Sequence, residues 1–300
     1  MKCFHTIILL SFAFALSTPQ STAQTSAKTI ETLRQYGDSI LKSPSDTIRQ
    51  YYATQFTTLL SAELKLQKQF DHSFDSVKNL SILTSDDQRL RVLTYMLPHT
   101  LQNQFQYFGF VQINDHKKKQ IHTIQLKPIQ YDTLQNISRQ KIDARQWYGC
   151  LYYSLITKKY KRNYTYTLIG YQPNNRLTTR KIIDIISIKG NSFTLGKPIF
   201  VDGKKFFYRK VYEYNAQASM LLRYDPAYKM IMMDDIIPDN TAHQGNYLMY
   251  GPNFKYNAYR FKKGKWFLQK DVDARNTKEG KPKTQPLQKK FRITKRPDQN

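Results

Sequence analysis

The run Trp147-Tyr148-Gly149-Cys150-Leu151-Tyr152-Tyr153-Ser154-Leu155-Ile156 is apolar on both faces. After the basic stretch Lys158-Lys159-Tyr160-Lys161-Arg162-Asn163 comes Tyr164-Thr165-Tyr166-Thr167-Leu168-Ile169-Gly170-Tyr171. Two runs of strand length, rich in aromatic and β-branched residues and joined by a polar turn, read as an antiparallel hairpin. The first run, apolar on both sides, suits a central strand. The same pattern extends in both directions. Residues 90–97 and 105–113 neighbour each other through Pro98-His99, and 121–126 follows the polar turn Asn114-Asp115-His116-Lys117. Residues 182–188 form a strand buried on both sides. Residues 206–214 alternate, with Phe206, Tyr208, Tyr212 and Tyr214 on one face. Residues 220–224 and 228–233 flank Asp225-Pro226-Ala227, with Asp and Pro at the first two turn positions. Residues 254–261 and 266–270 flank Lys262-Lys263-Gly264-Lys265, a hairpin connection.

No helical stretch separates these strands, so a parallel doubly wound sheet is excluded. Helical periodicity is confined to the region before them. Ile30, Leu33, Tyr36 (or Gly37) and Ile40 share one face, and Ser43-Pro44-Ser45 ends that helix. Ser45 or Asp46 caps a second helix carrying Ile48, Tyr52, Phe56, Leu59, Leu60 and Leu64. The expected fold is mainly β with an N-terminal helical pair (α+β). Its antiparallel sheets would form a sandwich, an open barrel or irregular propeller-like meanders, with the helices as a cover.

Both termini differ from this body. Met1-Lys2 precedes the apolar run 7–16, which is too short to span a bilayer, and Ser21-Thr22-Ala23 offers small residues for signal peptidase. Residues 1–23 therefore read as a signal peptide, with Cys3 too early to be lipidated. Residues 24–75 form the helical segment and 76–275 the antiparallel β domain. Residues 276–300 carry eight Lys/Arg, three prolines and few aliphatics, and read as a disordered basic tail. Export leaves Cys150 as the one cysteine, too few for a disulfide framework or a thiolate metal site. In its aromatic surroundings Cys150 should be a buried, inert thiol with a raised pKa.

The charge is the unusual quantity: 47 Lys+Arg against 22 Asp+Glu, formally +25. Inside a cell that would suggest nucleic acid. Outside the cytoplasm the available polyanions are envelope polymers, so nucleic acid is not the expected partner. No phosphate-binding glycine loop, nucleophile elbow or paired-histidine zinc motif is present, and no cofactor or metal is called for. The densest polar group, Asp234, Asp235, Asp239 and His243, could supply an acid/base pair or simply form a long turn. Lys158, Lys159, Tyr160, Lys161 and Arg162 suit an acidic ligand, and Trp147 and Trp266 could stack on sugar rings. Asp38-Ser39-Ile40, Asp46-Thr47-Ile48, Asp75-Ser76-Val77 and Asp132-Thr133-Leu134 match a short O-glycosylation pattern, but they also read as ordinary helix and turn caps.

The segments Trp147-Tyr148-Gly149-Cys150, Lys181-Ile182-Ile183-Asp184, Gly196-Lys197-Pro198-Ile199-Phe200, Met220-Leu221-Leu222-Arg223-Tyr224-Asp225 and Tyr250-Gly251-Pro252 carry a resemblance. In them the chain resembles a family of uncharacterised signal-peptide-bearing proteins of the Bacteroidota. The resemblance implies export and a bacterial envelope setting, and brings no activity or site residue with it. The leading expectation is a non-enzymatic envelope protein of the periplasm or cell surface. It would contact anionic polymers or an envelope protein and touch membranes only peripherally. A neutral-glycan binding module and a hydrolase of an envelope or dietary polymer are the alternatives.

Overall fold

A computed structural model describes residues 20–67, 70, 74–101, 104–129 and 136–273. The tail at 276–300, Cys3 and the Asp132-Thr133-Leu134 motif lie outside the described residues. Of the proposed signal peptide only residues 20–23, at the start of the first helix, are described.

Among the described residues two α-helices, α1 (Gln20–Lys42) and α2 (Asp46–Leu66), precede fifteen strands. Ser45 is the N-cap of α2, its hydroxyl accepting the Ile48 N–H at 3.5 Å. The first sheet is the meander β1 (Ser81–Thr84), β2 (Leu90–His99), β3 (Gln104–Asp115) and β4 (Gln120–Leu126). The second has the order β11-β7-β6-β5, with β8 added to β7. Its strands are β5 (Leu151–Tyr160), β6 (Asn163–Pro173), β7 (Thr178–Lys189), β8 (Ser192–Leu195) and β11 (Lys210–Asn215). The third has the order β10-β9-β15-β14-β13-β12. It is built from β9 (Phe200–Asp202), β10 (Lys205–Phe207), β12 (Leu222–Asp225), β13 (Met230–Pro238), β14 (Tyr250–Lys262) and β15 (Lys265–Gln269).

The period of two sorts each strand between layers. In β2, Leu93, Tyr95 and Leu97 meet Leu33, Phe56 and Leu60 of the helices, whereas Leu90 and Val92 face the second sheet. In β7, Ile182 and Ile186 face the first sheet, and Ile183 and Ile185 pack with Ile231, Met233, Tyr259 and Trp266 of the third. The result is a four-layer stack of helices, first sheet, second sheet and third sheet. Each fully buried aliphatic side chain contributes about 1.5–3 kcal/mol to holding it together.

The helical pair, the hairpins and the antiparallel, mainly β class are as the sequence leads one to expect. Three details differ. First, β5 is an edge strand, not a central one. Its two apolar faces arise because the whole second sheet lies between two others. Its free edge is occupied by the first sheet. Ser81 Oγ donates to the Tyr152 carbonyl at 2.5 Å, and Thr94 Oγ1 accepts the Tyr152 N–H at 3.0 Å. Second, the alternating stretch 206–214 is two strands in different sheets, β10 and β11. The chain changes layer at Arg209, which is fully buried. Third, β15 and β9 pair in parallel, through Trp266↔Phe200 and Phe267↔Val201.

Candidate functional site

The strand directions of the three sheets agree, and this brings six hairpin turns to one end of the stack. They join β1–β2, β3–β4, β5–β6, β7–β8, β12–β13 and β14–β15. Contacts tie the layers together there. The Asp86 N–H donates to Thr157 Oγ1 at 3.1 Å, and the Tyr166 hydroxyl to Asp87 Oδ2 at 2.7 Å. A Cβ built on Gly264 would lie 3.1 Å from Tyr160 Cδ1, so the second and third sheets touch at their tips.

Each of these turns contains a residue in the left-handed backbone region: Gln88 (φ 55), Lys119 (φ 51), Lys161 (φ 54), Gly190 (φ 59), Lys229 (φ 53) and Lys263 (φ 50). Lys263 and Gly264 (φ 80) are the two central residues of the two-residue turn between Lys262 and Lys265. Glycine takes this conformation freely, and Asn or Asp tolerates it. For lysine it costs about 1 kcal/mol or more. Turn closure does not require lysine at four tips.

Further cations surround them: Arg89, Lys117, Lys118, Lys158, Lys159, Arg162, Lys189, Lys262 and Lys265. The aspartates at this end are mostly committed to the turns. Asp115 Oδ1 accepts from the N–H groups of Lys117 (3.1 Å) and Lys118 (3.2 Å), and Asp225 Oδ1 from Ala227 (3.0 Å) and Tyr228 (3.2 Å). Asp87 Oδ1 accepts from the Arg89 N–H at 3.3 Å and the Ser85 hydroxyl at 2.6 Å. The Lys118 N–H, the largest influence, draws the Asp115 carboxyl below its usual range. Aromatic rings support several ammonium groups. Lys158 Nζ lies 4.5 Å from the Tyr224 ring centre, Lys159 Nζ 5.2 Å from Tyr164 and Lys161 Nζ 5.8 Å from Tyr160. The sequence candidates Lys158, Lys159, Tyr160, Lys161 and Arg162 thus sit together within a basic face drawn from three sheets.

The other candidates do not converge. Asp234 Oδ2 accepts the Leu221 N–H at 2.6 Å, fixing the approach to β12. Asp235 accepts from the side-chain amides of Asn253 and Asn257, both at 2.8 Å. It thereby braces a β14 bulge whose tip, Phe254, is 94% exposed at φ 65. Asp239 and His243 form an exposed pair, Oδ1 to Nδ1 2.6 Å, at a turn on the opposite end. That hydrogen bond holds the Asp239 carboxyl below its ordinary range. With separate structural partners, these four groups do not surround one reacting point. Trp147 and Trp266 are fully buried, their indole N–H groups donated to the Tyr152 hydroxyl (3.3 Å) and Thr167 Oγ1 (3.0 Å). Both rings belong to the core and neither can meet a sugar.

Sequence reading missed a buried polar cluster between the first two sheets. Asp184 and Arg209 are both fully buried, with Arg209 Nε 2.9 Å from Asp184 Oδ2. The Tyr148 hydroxyl also donates to Oδ2 at 2.9 Å, and the Ile185 N–H to Oδ1 at 2.7 Å. Arg209 Nη1 donates to the carbonyls of Ile137 and Gln140, and Nη2 faces Gly196, where a Cβ would lie only 2.6 Å away. Burial pushes the Asp184 carboxyl up from the ordinary range against the pull of Arg209. Cys150, also in this layer, is fully buried, and burial raises its thiol well above the usual range. The cluster pins the β4–β5 connection and the layer-changing residue to the second sheet. The signal was present in Ile182-Ile183-Asp184-Ile185-Ile186, since an acid inside such a strand needs a buried partner.

Among the described residues no group of three His, Cys, Asp or Glu is placed to hold a metal ion, and no helix is long and apolar enough to cross a membrane. No family model, no curated protein and no solved structure matches the chain.

Proposed function

We propose that this chain is an exported, non-enzymatic protein of a bacterial envelope whose lysine-tipped end binds anionic polymers. One observation carries the reading: four hairpins at the same end place lysine where the backbone conformation favours glycine or asparagine. Backbone strain retained at several exposed positions, with a common charge, marks a surface where charge has a use. The aspartates of that end keep their charge while capping turns, but they are outnumbered by the lysines and arginines around them, so the face is net positive. Clustered positive charge on a protruding face attracts polyanions and speeds their capture.

Cosedimentation of residues 24–300 with outer-membrane vesicles at low and high salt tests this. Binding that weakens steeply as salt rises supports it, because exposed charges more than about 8–10 Å apart are screened near physiological ionic strength. Binding that ignores salt, or no binding at either salt, overturns it.

A further inference from the structure

We infer that Tyr166 is a positioning residue: with its neighbours it locks separate hairpin tips into one basic face that favours a long anionic chain over a short anion. This rests on the electrostatic reading above and narrows it to polymers long enough to span two tips. The cations of the face belong to different layers. Arg89, Lys117, Lys118 and Lys119 stand on first-sheet tips, and Lys158, Lys159, Lys161 and Arg162 on the β5–β6 tip of the second sheet. A short anion is held by one tip alone. A long chain gains most from several tips when their spacing is fixed before it arrives, since a fixed second site raises the effective concentration met by a chain already bound at the first.

Hydrogen bonds and ring contacts supply that fixity, with the β5–β6 tip as their hub. Toward the first sheet, the Tyr166 hydroxyl donates to Asp87 Oδ2 at 2.7 Å, and Thr157 Oγ1 accepts the Asp86 N–H at 3.1 Å. The tie continues to the β3–β4 tip, where Asn114 Nδ2 donates to the Gln88 carbonyl at 3.2 Å and His116 Nε2 lies 3.3 Å from the Asp87 carbonyl. Toward the third sheet, Lys158 Nζ donates to the Tyr224 hydroxyl at 2.5 Å, and the Tyr160 ring lies against Gly264. Tyr166 joins these ties to the charges. Its ring stacks on Tyr164, with 6.4 Å between centres and 9° between planes, and Lys159 Nζ lies 5.2 Å from the Tyr164 centre. Tyr166 itself is buried. The rings of this end are thus engaged with one another and with lysines; they space the ammonium groups and leave the anion to them.

The test measures binding of residues 24–300 to long-chain inorganic polyphosphate and to tripolyphosphate, at matched total phosphate and over a salt series. The unaltered chain should bind the long polymer more tightly, with a steeper fall as salt rises, because more ammonium groups engage each chain. Tyr166→Phe keeps the ring and removes only the hydroxyl, and Thr157→Val removes the acceptor of the second tie. Each should weaken long-chain binding about tenfold and make its salt dependence shallower, while tripolyphosphate binding stays within about twofold. Equal weakening toward both probes would mean that the hydroxyls support the fold in general, and overturns the inference. Unchanged long-chain binding in the variants, or equal affinity of the unaltered chain for the two probes, also overturns it and leaves the electrostatic reading standing. Failure of the unaltered chain to bind either probe overturns both.

Discussion

The two ends of the stacked strands are made differently. At the end described above, six hairpins close with left-handed residues, four of them lysine. At the opposite end the chain turns by side-chain capping. Asp46 accepts from the N–H groups of Thr100 and Leu101, both at 3.0 Å, and Asn175 from Leu177 and Thr178, both at 2.8 Å. Asn240 caps the Thr241–His243 turn through the Ala242 N–H at 2.9 Å. The left-handed position of that last connection is taken by Gly245 (φ 87). The connections named at the opposite end use the residues that turn geometry favours; the lysine end also caps turns with aspartate, but puts lysine at four and glutamine at one of its six left-handed positions. This departure is the observation on which the proposed polyanion binding rests.

The largest effect is expected where both ends share a support. Arg209→Met leaves Asp184 buried without its cation, and breaking such a pair costs about 3–5 kcal/mol. Urea denaturation should show that loss, and an unchanged midpoint would mean that the pair does not hold the layers. Next comes charge reversal. Lys161→Glu with Lys263→Glu should reduce vesicle binding at low salt by about tenfold or more, a loss of about 1.4 kcal/mol. Arg176→Glu, at the opposite end, should leave binding unchanged; equal losses would erase the distinction between the ends.

A smaller effect separates strain from charge. Lys119→Gly or Lys229→Gly should raise stability by up to about 1 kcal/mol while weakening polyanion binding, because the left-handed penalty disappears together with the ammonium. A lysine at a relaxed turn would produce no such opposition. The mildest test concerns pH at the opposite end. The Leu101 N–H, then the Thr100 N–H, hold the Asp46 carboxyl at about 2. The folded value lies below that of the unfolded chain, so its contribution is present above about pH 4 and fades as pH falls through about 2. Asp46→Asn should flatten the stability profile in that interval, measured by the denaturation midpoint between about pH 2 and 5.

Much of the fold was legible locally. The cap Ser45, the Asp225-Pro226-Ala227 turn and the Lys263-Gly264 connection each carry a mechanism in a few residues. The layer change at Arg209 was not, because alternation through 206–214 continues smoothly while the strand passes from one sheet to another. Trp147 and Trp266 were ambiguous for a related reason: an indole gives no local sign of which layer will cover it. For the basic face, the sequence named Lys158, Lys159, Lys161 and Arg162 but not their company. That company depends on strand direction and layer order, which bring residues as distant as Lys119 and Lys263 to the same end. The left-handed conformation of the tips was hidden as well, since lysine does not announce it as glycine does.

The most direct test replaces Lys119, Lys161, Lys229 and Lys263 together with glycine and measures both vesicle cosedimentation at low salt and the urea midpoint. A folded protein of higher stability that no longer sediments with the vesicles is the predicted result. Retained salt-sensitive binding, or stability that falls, would contradict the claim that these four positions keep strain in exchange for charge.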